Sequence, residues 1–198
     1  MKVTKTSLPG VLVLSSPIYR DDRGAFCETF NQRAMAEAGL PGPWVQDNFS
    51  SSRKNVLRGI HYQVVQPQGK LIRVTRGAVF DVAVDLRRGS PTFAKHLAIE
   101  LNGDSGEMLW IPEGFGHGFL ALNDAVGFSY KVTDYYSPQG ERTILWNDPE
   151  LAIPWPIAPE IAIVSDKDRA GLPLREADIF PRSIHQVESK YLKHKYMS

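Results

Sequence analysis

The sequence predicts an all-β fold, a Greek-key or jelly-roll barrel, and three observations carry that prediction. Apolar residues recur with period two in short runs, the spacing of a strand with one face turned to a core. The 16 glycines and 14 prolines are scattered between those runs as turns, not gathered in a linker. Helical spacing is thin, and many short strands within 198 residues suit one barrel.

The elements follow in chain order. Asn31 to Ala38 (NQRAMAEA) predicts a short helix, with Asn31 as its cap and Gly39 as its stop. Arg58 to Gln63 (RGIHYQ) alternates as a strand. Lys70 to Arg76 (KLIRVTR) is the next, closed by Gly77. Ala78 to Leu86 (AVFDVAVDL) puts Phe80, Val82, Val84 and Leu86 on one face, and Val79, Asp81, Ala83 and Asp85 on the other. Leu97 to Leu101, Met108 to Ile111, Phe119 to Leu122 and Gly127 to Thr133 continue the pattern. Asp166 to Arg175 is expected to hold a further helical turn or two. The polar, Lys- and His-containing stretch 181–198 reads as an extension with at most a short helix, beyond a domain expected over 1–180. No internal repeat is evident.

Composition narrows the function. Twenty-three basic and 22 acidic residues give a net charge of +1, so no global field points to nucleic acid or a membrane as partner. An anionic ligand would have to be held by local charge. The single cysteine, Cys27, allows no internal disulfide and reads as a bystander in a reducing compartment. No apolar run resembles a signal peptide or a membrane span, and a cytoplasmic location is expected.

Polar residues that a simple β core would not need gather in four segments. These are Arg20 to Phe30, Val45 to Gln63 with Gly69-Lys70, Trp110 to Phe119, and Phe128 to Trp146 followed by Ser165-Asp166-Lys167-Asp168. His61 and Gln63 share a strand face. The plain reading of His61 is a satisfied core histidine, and of Lys70 a strand-end surface lysine. Strict parity turns Arg58 to the opposite face unless Gly59 marks a bulge. A catalytic metal in a barrel needs several converging histidine and carboxylate ligands. The position two beyond His61 is Gln63, and His117 is solitary, so no metal is expected.

The motifs RGIHYQ, GKLIRVTRGAVFDVAVDLRRGSPTF, LWIPEGFGHGF, YKVTDYYSP and the late SDKD together resemble the dTDP-4-dehydrorhamnose 3,5-epimerase family of the cupin superfamily. The similarity runs from about Leu8 to Phe180, with the motifs in the family's order. It implies a cupin-like jelly roll and a substrate that is a dTDP-linked 4-keto-6-deoxy sugar. The chemistry it implies is inversion at C3 and C5, which both flank the C4 ketone and are acidified by enolate resonance. Such inversion needs a base on one face, an acid on the other and a group to hold the oxyanion, with no cofactor.

Residue by residue, the resemblance implies His61 as the base and Asp168 as the carboxylate that orients it. It implies Tyr130 as the opposing acid and Lys70 as the cation beside the C4 oxygen. Arg23 and Arg58 are implied phosphate contacts, since an arginine fork suits phosphate oxygens. Glu28, Gln46, Asn48, His117, Glu141 and Lys167 are implied substrate contacts, with Phe26 to stack on the base and Tyr136 to line the sugar pocket. The resemblance also implies a homodimer whose N-terminal strands pair across the interface, so that Arg23, Phe26 and Glu28 serve the partner subunit's pocket. Other readings stay open here: an epimerase acting at C3 only or C5 only, a dTDP-sugar ketoisomerase, or a sugar-nucleotide-binding cupin without chemistry.

Overall fold

A computed structural model describes residues 1–40 and 42–180. The stretch 181–198, with the short helix expected there, lies outside the described residues. The strands in chain order are β1 (Lys2–Lys5), β2 (Leu12–Ser15), β3 (Ile18–Asp21), β4 (Gly24–Cys27), β5 (Gln46–Ser52), β6 (Val56–Gln63) and β7 (Lys70–Arg76). They continue with β8 (Ala78–Asp85), β9 (His96–Asn102), β10 (Glu107–Ile111), β11 (Phe115–Ala121), β12 (Val126–Val132), β13 (Glu141–Thr143) and β14 (Ile163–Val164). The helices are α1 (Gln32–Glu37) and α2 (Asp166–Arg169).

Two 6-stranded sheets face each other. One runs β1-β2-β10-β7-β12-β5; the other runs β13-β6-β11-β8-β9, with β14 parallel on β6. Their inner faces share one apolar core, with Val13, Ile72, Leu109 and Phe128 from the first sheet against Val79, Ala83, Phe115 and Phe119 from the second. This is a jelly-roll barrel, as the sequence predicts. The parity read from β8 is also the one observed. Val79 and Ala83 face the barrel interior, while Val82, Val84 and Leu86 pack outward under Ile144, Leu151, Leu174 and Phe180. Both faces of the second sheet are therefore covered, one by the barrel and one by the chain after β13.

Helix α1 forms where expected. The Asn31 side chain accepts from the Arg33 and Ala34 N–H groups, and Met35 is buried beneath the helix against the first sheet's outer face. The region 166–175 resolves into α2 and a 3-10 turn at Leu174–Glu176. Strands β1 to β5, β13 and β14 form outside the runs predicted from period two, and the run Phe119–Leu122 overlaps the end of a longer strand, Phe115–Ala121. The hairpin β3–β4 stands apart as its own 2-stranded sheet.

The β6–β11 ladder is irregular. In it His61 faces His117 and Arg58 faces Phe119, so three steps along β6 match two along β11. That extra residue is a bulge at Gly59, whose φ of +117° is open to glycine alone. A Cβ on Gly59 would lie 2.5 Å from the Gly118 Cα, so the two glycines let the strands approach closely. The bulge resets the parity and turns Arg58 to the same side as His61.

Candidate active site

A cavity of about 290 Å³ opens between the sheets. Strand β6 gives it Arg58, His61 and Gln63; β7 gives Lys70; β11 gives His117; β12 gives Phe128 and Tyr130; β5 gives Asn48. Tyr136 and Glu141, from the segment leading into and opening β13, complete the rim. Segments far apart in the sequence thus supply one concave, mixed polar and aromatic surface.

Among the described residues, the His61 side chain makes one hydrogen bond, to Asp168. Its Nε2 lies 2.5 Å from Asp168 Oδ1, and the Asp168 side chain is only 4% exposed against 31% for His61. Ser165 caps α2, its hydroxyl accepting from the Asp168 N–H, which fixes the aspartate one turn into the helix. Burial pushes the Asp168 carboxyl up, but the bond and charge of His61, the Ser165 hydroxyl and the Gly59 N–H outweigh it. The net position is below the usual carboxylate range, so Asp168 stays ionised behind the imidazole. With Nε2 committed to Asp168, Nδ1 is the nitrogen left to act on a ligand.

Tyr130 lines the same cavity from β12. Burial, reinforced by the charge of Glu141 and opposed by Arg58, raises its hydroxyl above the ordinary phenol value, so it keeps its proton. Lys70 is buried at the start of β7, and burial lowers its ammonium to about 8 against the pull of Glu113 and Glu141. Glu113 is itself held by the Thr133 hydroxyl at 2.6 Å. An imidazole, a phenol and a desolvated ammonium therefore share one cavity.

Around this centre, Gln46 donates to Asn48 Oδ1 at 2.8 Å and accepts from the Tyr136 N–H at 3.1 Å, so it holds two cavity residues without lining the cavity. Tyr136 donates to Glu141 Oε2 at 2.8 Å, and Lys167 pairs with Glu141 Oε1 at 2.5 Å. Arg58 is exposed and anchored at its Nε by Ser52 Oγ at 3.2 Å. His117 is buried on the cavity floor, its Nε2 bonded to the fully buried Asp81.

Three predicted residues lie elsewhere. Arg23 and Phe26 belong to the exposed β3–β4 hairpin, where Arg23 pairs with Asp21 and Phe26 is 68% exposed. Glu28 accepts from Asn31 Nδ2 beside α1. Within one protomer none of the three lines the cavity around His61. Conversely, Gln68, Ser50, Phe119 and Phe128 line the cavity although nothing in the sequence singles them out. Phe119 and Phe128 stack at 4.1 Å as part of the core, and their period-two pattern does not separate floor from core. Asp81, behind His117, is a buried acid on the interior parity of β8, a parity it shares with Val79, Ala83 and the strand-end Asp85, and sequence reasoning gave it no role. Among the described residues no group of three or more His, Cys, Asp or Glu side chains converges to hold a metal ion, and no helix is long and apolar enough to cross a membrane.

Comparison with known proteins adds three findings. The family model for dTDP-4-dehydrorhamnose 3,5-epimerase matches residues 5–176. The dTDP-4-dehydrorhamnose 3,5-epimerase of Pseudomonas aeruginosa is 50% identical over 182 residues, covering 91% of this chain and 100% of that protein. Solved structures superpose as well. A crystal structure of the 3,5-epimerase from Legionella pneumophila in complex with dTDP-4-keto-L-rhamnose does so with a TM-score of 0.88 at 45% identity, covering 92% of this chain and 98% of that one. A 3′-monoepimerase from Streptomyces bikiniensis in complex with dTDP-quinovose reaches a TM-score of 0.84 at 30% identity, with 98% of each chain covered.

Proposed function

The chain belongs to the dTDP-4-dehydrorhamnose 3,5-epimerase family, and from that premise we propose a residue-level mechanism in which His61 and Tyr130 work opposite faces of a keto-sugar ring. The enzyme is an isomerase that inverts C3 and C5 of dTDP-4-dehydro-6-deoxy-D-glucose to give dTDP-4-dehydro-L-rhamnose. The observation that carries the mechanism is that His61, bonded to Asp168 behind it, lines a single cavity with Tyr130 and Lys70.

The sugar's C4 ketone sits beside Lys70. His61 Nδ1 takes the proton from C3 or C5, and the electron pair moves through the C3–C4 or C4–C5 bond onto the carbonyl oxygen. The imidazolium that forms is stabilised by Asp168, and the oxyanion by the Lys70 ammonium. Tyr130, kept protonated by burial and by Glu141, returns a proton to the opposite face of the same carbon. The sugar loses one proton and gains one at each inversion, and His61 then gives its proton to solvent while Tyr130 takes one from it, so both groups are reset for the second carbon and no redox step is involved. Arg58 meets the diphosphate at the cavity mouth, while Asn48, His117, Glu141 and Lys167 contact the substrate, Gln46 holding Asn48 and Tyr136 in place.

We read the β3–β4 hairpin as serving a second copy in a homodimer. Its exposed Tyr19 and Phe26, together with the exposed Phe49 on the edge strand β5, support a surface made for protein contact. In that arrangement Arg23, Phe26 and Glu28 reach the partner subunit's nucleotide.

Paired variants test the roles. His61→Asn should lose exchange of solvent hydrogen at both carbons while binding dTDP nearly as well as the parent. Tyr130→Phe should still exchange but fail to complete inversion. Retained exchange in His61→Asn, or full turnover in Tyr130→Phe, would remove that residue from its role.

A further inference from the structure

Asp81 is a buried carboxylate that the epimerase mechanism does not use. It lies on the interior face of β8, is 0% exposed, and has the apolar Val79 and Ala83 as face-mates. A carboxylate there costs stability unless it is fully bonded, and an apolar side chain would serve the core as well or better. Among the described residues its side chain takes hydrogen bonds from His117 alone, at 3.1 and 3.0 Å from Nε2. The register explains the contact. Asp81 faces Phe119 across the β8–β11 ladder, so His117, two residues along β11, is its diagonal neighbour on the same face.

His117 is in turn the direct cross-strand partner of His61. Two imidazoles thus stand side by side at the cavity, each tied through Nε2 to a buried aspartate behind it. The His117 ring is held flat against Phe128, at 5.9 Å and 20° between planes.

We propose that Asp81 is a positioning residue: it keeps the proton on His117 Nε2, so that Nδ1 faces the cavity as a lone pair accepting a hydrogen bond from a sugar hydroxyl. This rests on the epimerase reading of the same cavity. Without the carboxylate the two tautomers of His117 mix, and the form carrying its proton on Nδ1 meets the hydroxyl as a second donor. The sugar then loses the anchor that presents first one and then the other acidic C–H to His61.

Two measurements test the proposal. In ligand-free enzyme, imidazole ¹⁵N NMR, with the His117 signals assigned by their loss in His117→Ala, should show the Nε2–H tautomer, and Asp81→Asn should shift it toward a mixture. In a double-mutant cycle, Asp81→Asn should slow hydrogen exchange into the substrate by about tenfold to a hundredfold, the loss expected for one charged hydrogen bond. The same substitution made in His117→Ala should add little, because its effect runs through that ring. An Nδ1–H tautomer in the parent protein overturns the proposal with no variant needed, and so does an equal loss in both backgrounds. A parent enzyme with no exchange at either carbon would sink the epimerase reading instead, while the tautomer measurement would still decide the role of Asp81.

Discussion

At the scale of single residues, Lys70 carries a conflict between fold and chemistry. An ammonium buried beside the ketone stabilises an oxyanion far better than one in water, yet burial penalises the charge in the resting protein. Its folded value of about 8 lies below the unfolded 10.5. Between those values the unfolded chain binds more protons, so stability should rise with pH from about 8 to 10.5, and below pH 8 the full penalty applies. Lys70→Met should therefore raise the melting temperature at neutral pH, by an amount reflecting about 3 kcal/mol at most, while abolishing turnover. The parent's kcat should fall as pH rises through about 8, as the ammonium is lost. A melting temperature that drops in Lys70→Met would show that the lysine supports the fold. Lys70 also illustrates what single residues conceal in a sequence. At the end of an alternating run it reads as a surface lysine, and only its approach to Glu113, Glu141 and the cavity gives it another meaning.

At the scale of elements, the bulge in β6 decides which side chains meet. Arg58 and His61 share the cavity because Gly59 takes a positive φ and packs against Gly118. Gly59→Ala forces a Cβ into the Gly118 backbone in a conformation closed to alanine. It should cost roughly 2–5 kcal/mol in thermal or denaturant unfolding and lower activity as the Asp168 contact loosens. An unchanged unfolding midpoint would mean that the strand has room the structure does not show. Strands β7 to β12 are legible in the sequence because each is long enough to show period two. Strands β1 to β4 are 4 residues each, and β13 and β14 are 3 and 2. At those lengths pairing partners distant in sequence, such as β10 for β2, decide the structure, and local pattern does not. The bulge falls between: Gly59 signals that parity could reset, but only the ladder with β11 shows that it does.

At the scale of the whole molecule, the barrel brings together residues more than 100 positions apart. The His61–Asp168 pair spans 107 positions, so no local motif could reveal it. Cavity residues such as Arg58, His61, Lys70 and Tyr130 are legible through a resemblance that runs from about Leu8 to Phe180, while Arg23, Phe26 and Glu28, which do not line the cavity within one protomer, would find a place beside a second copy. Mixing inactive subunits tests that directly. A dimer of one His61→Asn chain and one Arg23→Ala chain holds one intact site, because the Arg23→Ala chain keeps its own His61 and borrows Arg23. Equal mixing and reassembly should restore roughly a quarter of the parent's sites. No recovery would leave Arg23 acting within its own chain or not at all.

The most direct measurement is proton NMR of the parent enzyme turning over dTDP-4-keto-6-deoxyglucose in deuterated water. An imidazole and a phenol acting on both carbons flanking the ketone should place deuterium at C3 and at C5. Deuterium at neither carbon, or the same labelling in His61→Asn, would contradict it.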